Sequence, residues 1–144
     1  MRENFDKAFQ LTIGLEGAYS NNKNDPGGET NFGISKRYHP DTDVKNLTPD
    51  GAKAIYRQEY WIPAGCDAVP YPLDICLFDS QVNPQNDPKL PGGGNLEIQN
   101  QHPENWQEYM MLRMVRYMKN SKPEFVKGHI FRVLKLFEQI RGMK

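Results

Sequence analysis

Between Glu3 and Glu16 the apolar or small positions Phe5, Ala8, Phe9, Thr12 and Ile13 recur at steps of three and four, the spacing that lays one stripe along an α-helix. Gly17 is the expected stop. Glu16 follows Thr12 by four residues and Phe9 by seven, so the period places this carboxylate on the apolar stripe. The run AYSNNKNDPGGETNFGI crowds Asn, Asp, Pro and Gly at its centre, with Tyr19, Thr30, Phe32 and Ile34 at its flanks. It predicts a small hairpin around an irregular loop. In LTPDGAKAIYRQEYW, Thr48 is placed to cap a helix with Pro49 in its first turn and Ala52, Ile55, Tyr56 and Tyr60 inward. LDICLFDSQV, beginning just after Pro72, is apolar on nearly every face apart from Asp74 and Asp79. That is the pattern of a helix buried at the centre of a fold.

Residues 84–104 are rich in Pro, Gly and Asn and predict one long surface connection. Two helices follow. The first runs near Asn105 to Lys119 with Met110, Met111, Met114, Val115 and Met118 inward, and the second near Pro123 to Ile140 with Val126, Ile130, Val133, Leu134 and Phe137 inward. Helical stripes with one small hairpin give a mainly α (α+β) fold. A length of 144 residues suits one domain over 1–144.

Composition narrows the function classes. No stretch approaches the roughly 20 apolar residues of a membrane span, and MRENFDKAFQ has no apolar core of a signal peptide, so synthesis in the cytoplasm without stable membrane association is expected. Cys66 and Cys76 have neither metal-site spacing nor neighbouring His, which points to free, partly buried thiols and to no zinc site; no metal or organic cofactor is expected. The net charge of zero divides unevenly: residues 110–144 hold nine Lys and Arg against two Asp and Glu. Such a stretch suits an anionic polymer such as a cell wall, or is simply the solvated face of two helices. No nucleic-acid motif accompanies it.

The chemistry concentrates near Glu16. A carboxylic acid that protonates a leaving oxygen must hold its proton near neutral pH. An apolar stripe and a helix carboxyl end both penalise its anion. The alternative is a Glu turned to water or paired with Lys23 or Arg57. Asp25 follows Glu16 by nine residues on the loop, where a second carboxylate of an inverting glycosidase would hold water, and Thr30 would orient that water. The alternative for NNKNDPGGE is a plain turn.

The run EGAYSNNKNDPGGETNFGISKRY resembles the signature of glycoside hydrolase family 108, which comprises phage and prophage endolysins, N-acetylmuramidases and proteins once called secretion activators. The similarity continues through LTPDGAKAIYRQEYWIPAGCDAVPYPLDICLFDSQVN and returns in RYMKNSKPEFVKGHIFRV. The resemblance implies a lysozyme-like helical fold that cleaves the bond between N-acetylmuramic acid and N-acetylglucosamine in peptidoglycan, with Glu16 as catalytic acid. Likeness to phage-type lysozymes extends the assignment to Asp25 and Thr30. With no signal peptide in the sequence, action on the wall would need release through a holin or a dedicated exporter.

Three departures from the family pattern stand out: Ala18 in place of a second Gly, the short connection at 84–104 in place of a longer wall-binding stretch, and His129 in place of a Trp. Tyr19, Ser20 and Phe32 flank the motif as candidate sugar contacts, though each also suits the core. Asp79 and Asn83, four apart on one helix face, are candidates for the cleft floor or for tying buried backbone. Two other readings of the function remain open: a lytic transglycosylase that leaves 1,6-anhydro ends, and a wall-binding protein with a decayed site.

Overall fold

The computed structural model describes residues 2–14, 19–21, 24, 28–84, 98 and 105–143. Helix α1 spans Arg2–Thr12 and buries Phe5, Ala8, Phe9 and Thr12, the stripe expected from the sequence. It ends earlier than expected. The Ile13 and Gly14 amides both donate to the Phe9 carbonyl, and Gly14 takes φ +75°, a left-handed conformation that costs glycine nothing. Gly14, not Gly17, ends the helix, so the expected helical platform under Glu16 closes at Thr12.

The expected hairpin is one part of a three-stranded antiparallel sheet, β1 (Ser20–Asn21), β2 (Glu29–Asn31) and β3 (Ile34–Ser35), in that order. β2 and β3 are joined by Phe32–Gly33, with φ +52° and +75°. Positive φ at both central residues marks the tight turn whose twist matches its strands. For Phe32 this conformation costs about 1–2 kcal/mol, and a buried hydrogen bond from the Tyr56 hydroxyl to the Phe32 carbonyl, 2.7 Å, offsets it. A Cβ on Gly33 would stand 2.7 Å from the same hydroxyl oxygen, so only glycine suits this place.

Helix α2 spans Pro49–Tyr56, with Thr48 Oγ1 accepting from the Gly51 amide at 3.1 Å, as its sequence foretells. A π-helical turn, Arg57–Trp61, continues it. Its wider winding advances the inward face by one residue. Trp61 is fully buried, whereas Tyr60, the expected inward residue, is only partly so. A short 3₁₀ turn, Cys66–Ala68, leads towards α3, Leu73–Val82.

Helix α3 is the centre of the fold. Residues 73–80 are all buried, and α1, the π turn, the 3₁₀ turn and the next helix pack around them. Phe78 meets Phe5 and Trp61 at ring separations of 5.7 and 5.8 Å. Each such buried side chain contributes about 1.5–3 kcal/mol. Pro84 and Ile98 are the described residues of the connection 84–104; Ile98 is buried, so the connection reaches into the core and does not run wholly over the surface.

Helices α4 (Trp106–Asn120, capped by Asn105) and α5 (Pro123–Arg141) pack against each other. The expected methionine stripe of α4 is displaced. Tyr109, Met110, Arg113 and Tyr117 face the core, while Met111, Val115 and Met118 are exposed. On α5, Val133 is buried as expected, but Leu134 is exposed and Leu136 and Ile140 complete the inward face. No described helix is long and apolar enough to cross a membrane.

Candidate active site

The helix end, the sheet and the central helix supply the described surroundings of the motif. Glu16 and Asp25 lie outside the described residues. Thr30 is at the middle of β2, directly opposite Ser20 on one side and Ser35 on the other. Residues directly opposite across antiparallel strands share a face. Ser20, Thr30 and Ser35 therefore form a row of hydroxyl side chains across the sheet, while Asn31 and Ile34 turn inward and are buried. The sequence singles out Thr30 and Ser20 separately and not as one row; Ser35 was missed because the third strand was not expected.

Tyr19 and Ser20 are exposed at the start of β1. The Tyr19 phenol is held above its ordinary pKa by desolvation first and by the Glu29 carboxylate next. Phe32 is buried at the turn and packs into the core instead of presenting a face to solvent. Of the two readings open for that ring, the core one describes its environment.

Asp79 comes from the buried stretch of α3 and has no free face. Its Oδ1 accepts from the Thr12 hydroxyl at 2.8 Å and lies 3.4 Å from Arg132 Nη2, while its Oδ2 lies 2.6 Å from Arg113 Nη2. Arg113 is wholly buried, and although burial opposes its charge, Asp79 and the neighbouring phenols Tyr117 and Tyr109 raise its pKa. Arg113 Nε and Nη1 have no partner among the described residues. Arg132 Nη2 also donates to the Thr12 carbonyl at 3.0 Å. One carboxylate thus joins four helices and fixes the last residue of α1, directly before the chain enters LEGA. Asn83 is the cap of α3: its Nδ2 donates to the Asp79 carbonyl at 3.2 Å, and its own carbonyl accepts from the Tyr117 hydroxyl. The described hydrogen bonds of Asp79 and Asn83 are to protein neighbours.

Sequence reasoning passed over Arg113 and Arg132. The signal was present in Asp79 itself, since a carboxylate on a helix apolar all round needs a buried cation.

Two cavities border α1. The larger, about 570 Å³, lies between α1 and α2 and is lined by Phe5, Asp6, Asp50, Lys53 and Arg57, none of them in the motif. The smaller, about 430 Å³, runs along the carboxyl end of α1 between Thr12–Gly14 and the α5 residues Arg132, Lys135 and Gln139, with Asp79 in its floor. Its position favours it over the larger one as part of a working cleft, because it borders the residues that lead into the motif. Among the described residues no group of three or more His, Cys, Asp or Glu side chains is arranged to hold a metal ion.

The profile of the family described as Glycosyl hydrolase 108 matches residues 9–84, more than half of the chain. The solved structure of Brucella abortus SagA is similar with a TM-score of 0.67 and 21% identity, covering 98% of this chain and 95% of that one. At that identity the likeness concerns the fold. No curated protein matches the chain.

Proposed function

We propose, from the premise that this chain belongs to the glycosyl hydrolase 108 family, that it hydrolyses the glycan strands of bacterial peptidoglycan as an N-acetylmuramidase, with Glu16 as general acid. The observation that carries the reading is the family match over residues 9–84, a span that includes Glu16, Asp25 and Thr30. In this mechanism the Glu16 carboxyl gives its proton to the glycosidic oxygen between N-acetylmuramic acid and N-acetylglucosamine. Asp25 takes a proton from a water on the opposite sugar face, and that water attacks the anomeric carbon with inversion. The Thr30 hydroxyl, in the row with Ser20 and Ser35, orients the water or a sugar hydroxyl. Tyr19 and Ser20 contact sugar from the rim.

The test is turbidity loss of purified cell walls, with wild type against Glu16→Gln. General acid catalysis contributes about 100- to 10,000-fold, so the variant should fold normally and lose nearly all activity. A Glu16→Gln protein within about threefold of wild type, under 1 kcal/mol in barrier, removes the assignment. Product analysis tests the outcome: reducing N-acetylmuramic acid ends support hydrolysis, and 1,6-anhydro ends replace it with transglycosylation.

A further inference from the structure

We propose that the groove along the carboxyl end of α1 is a carboxylate-recognition site, in which Arg132 and Lys135 take the acidic peptide stems carried by the glycan strand. The inference rests on the glycan reading above and extends it from the sugar to its substituent. Arg132 is the better organised of the two cations. Its Nη2 is held by the Thr12 carbonyl and by Asp79, and its Nε is buried without a partner among the described residues. Yet the side chain is 40% exposed, so the guanidinium is clamped through Nη2 while part of the side chain reaches solvent. A clamped, planar donor loses little freedom on binding, which favours a carboxylate over a point-charge partner.

The charge around it is unbalanced in the same sense. Among the described residues, Arg113, Arg132 and Lys135 stand against the Asp79 carboxylate, and that carboxylate is shared between the two guanidiniums. Lys135, three residues from Arg132 on α5, lies on the same helix face and has no ion-pair partner among the described residues. Gln10 and Gln139 add amide groups to the walls. The carboxyl end of α1 contributes partial negative charge, but its Thr12 carbonyl is already taken by Arg132. Among the described residues, the side-chain charge that remains towards the groove is cationic. Muramic acid residues bear a lactyl-linked peptide, and free carboxylates on that peptide supply the matching anion. The groove borders Thr12–Gly14, so a stem seated there lies close to the chain's entry into the Glu16 motif.

The experiment uses the full chain as wild type, Arg132→Gln, Lys135→Gln and the double variant, each assayed by released reducing ends on two substrates. One is peptidoglycan with intact stems; the other is the same glycan freed of stems by an amidase, with the lactyl carboxylates so released converted to amides. Loss of two charge-assisted contacts is expected to raise KM on the stem-bearing strand about tenfold in the double variant, with kcat little changed. Cleavage of the stem-free strand should stay as in wild type. Lys135→Gln removes no hydrogen bond or ion pair among the described residues, so it keeps the test sound if Arg132→Gln unfolds. Equal losses on both substrates, or no loss on either, overturn the proposal. If extracting phosphate polymers from the wall abolishes the effect of the variants, the groove reads phosphate and the carboxylate assignment falls. If wild type cleaves neither substrate, the glycan reading fails, and calorimetric titration with N-acetylmuramyl dipeptide judges the groove alone: binding lost in the double variant supports it, and absence of binding in wild type overturns it.

Discussion

Replacing Asp79 by Asn removes a charge while keeping the size of the side chain and an oxygen that can still accept from Thr12. Its principal consequence falls on Arg113. That guanidinium is fully buried, its Nη2 loses the carboxylate 2.6 Å away, and its Nε and Nη1 have no described partner to compensate. An arginine cannot escape by releasing its proton, and water does not reach it to screen the charge. Breaking a buried pair by removing one partner costs about 3–5 kcal/mol, a large share of the roughly 5–15 kcal/mol that stabilises a domain. At this chain length, that corresponds to a drop in Tm of roughly 6–20 °C, taking about 2–4 °C per kcal/mol. Urea unfolding followed by circular dichroism measures it as a lower midpoint at unchanged slope. The double variant Asp79→Leu with Arg113→Met removes both charges from the core and should recover most of the loss, since apolar replacement of a buried pair is often neutral. Arg132 is partly exposed and can turn to water in that variant. A single variant that loses under about 1 kcal/mol, or a double variant no better than the sum of its parts, would show that Arg113 is not held by Asp79.

The turn between β2 and β3 gives a second prediction: Gly33→Ala should destabilise the fold by about 1–2 kcal/mol from its positive φ alone, with more from the contact with Tyr56. Part of the excess should vanish in a Tyr56→Phe background, and full additivity in denaturation midpoints would refute the contact. The thiols and phenols of the core predict a pH response. Burial, before any neighbouring charge, pushes Cys66 up to about 12 and Tyr56 up to about 12, and raises Cys76 and Tyr109 in the same direction. In the unfolded chain these groups ionise at about 8.5–10. Their stabilisation is therefore complete below the unfolded values and is lost as pH rises from there through the folded ones. Melting temperature should fall steadily between about pH 9 and 11; a flat profile would show that these groups are not kept neutral by the fold. Native Cys66 and Cys76 should also resist alkylation at pH 8 until denaturant is added, because the thiolate is the reactive form.

What the sequence declared, it declared where the signal was local. Thr48 before Pro49 specifies a helix start within four residues, and LDICLFDSQV is so uniformly apolar that only a central position suits it. The misplacements have non-local causes. Gly14 and Gly17 offer equal local grounds for ending α1, and the choice rests on the tertiary clamp at Thr12. Met110, Met111, Met114, Val115 and Met118 satisfy a helical period, but the face that Asp79 draws inward is the one carrying Arg113, so α4 is rotated away from its methionine stripe. Nothing in the local pattern asks for Phe32 at positive φ; the Tyr56 hydroxyl, 24 residues away, makes it tolerable. Within the candidate site, Thr30 and Ser20 were legible from the motif, whereas Ser35 needed the third strand and Arg132 needed the docking of α5.

The bond from Arg132 to the Thr12 carbonyl spans 120 positions of sequence. A chain emerges from the ribosome amino end first, so Thr12 is in the open long before its clamp has been translated. The last turn of α1 therefore has only the Asp79 carboxylate of α3 to hold its Thr12 hydroxyl while α4 is made, and gains its second tie when α5 arrives. A truncated or stalled product that ends before α5 keeps the tie from Asp79 to the Thr12 hydroxyl but lacks the one from Arg132 to its carbonyl, and the segment that follows α1 is anchored at one of its two described points.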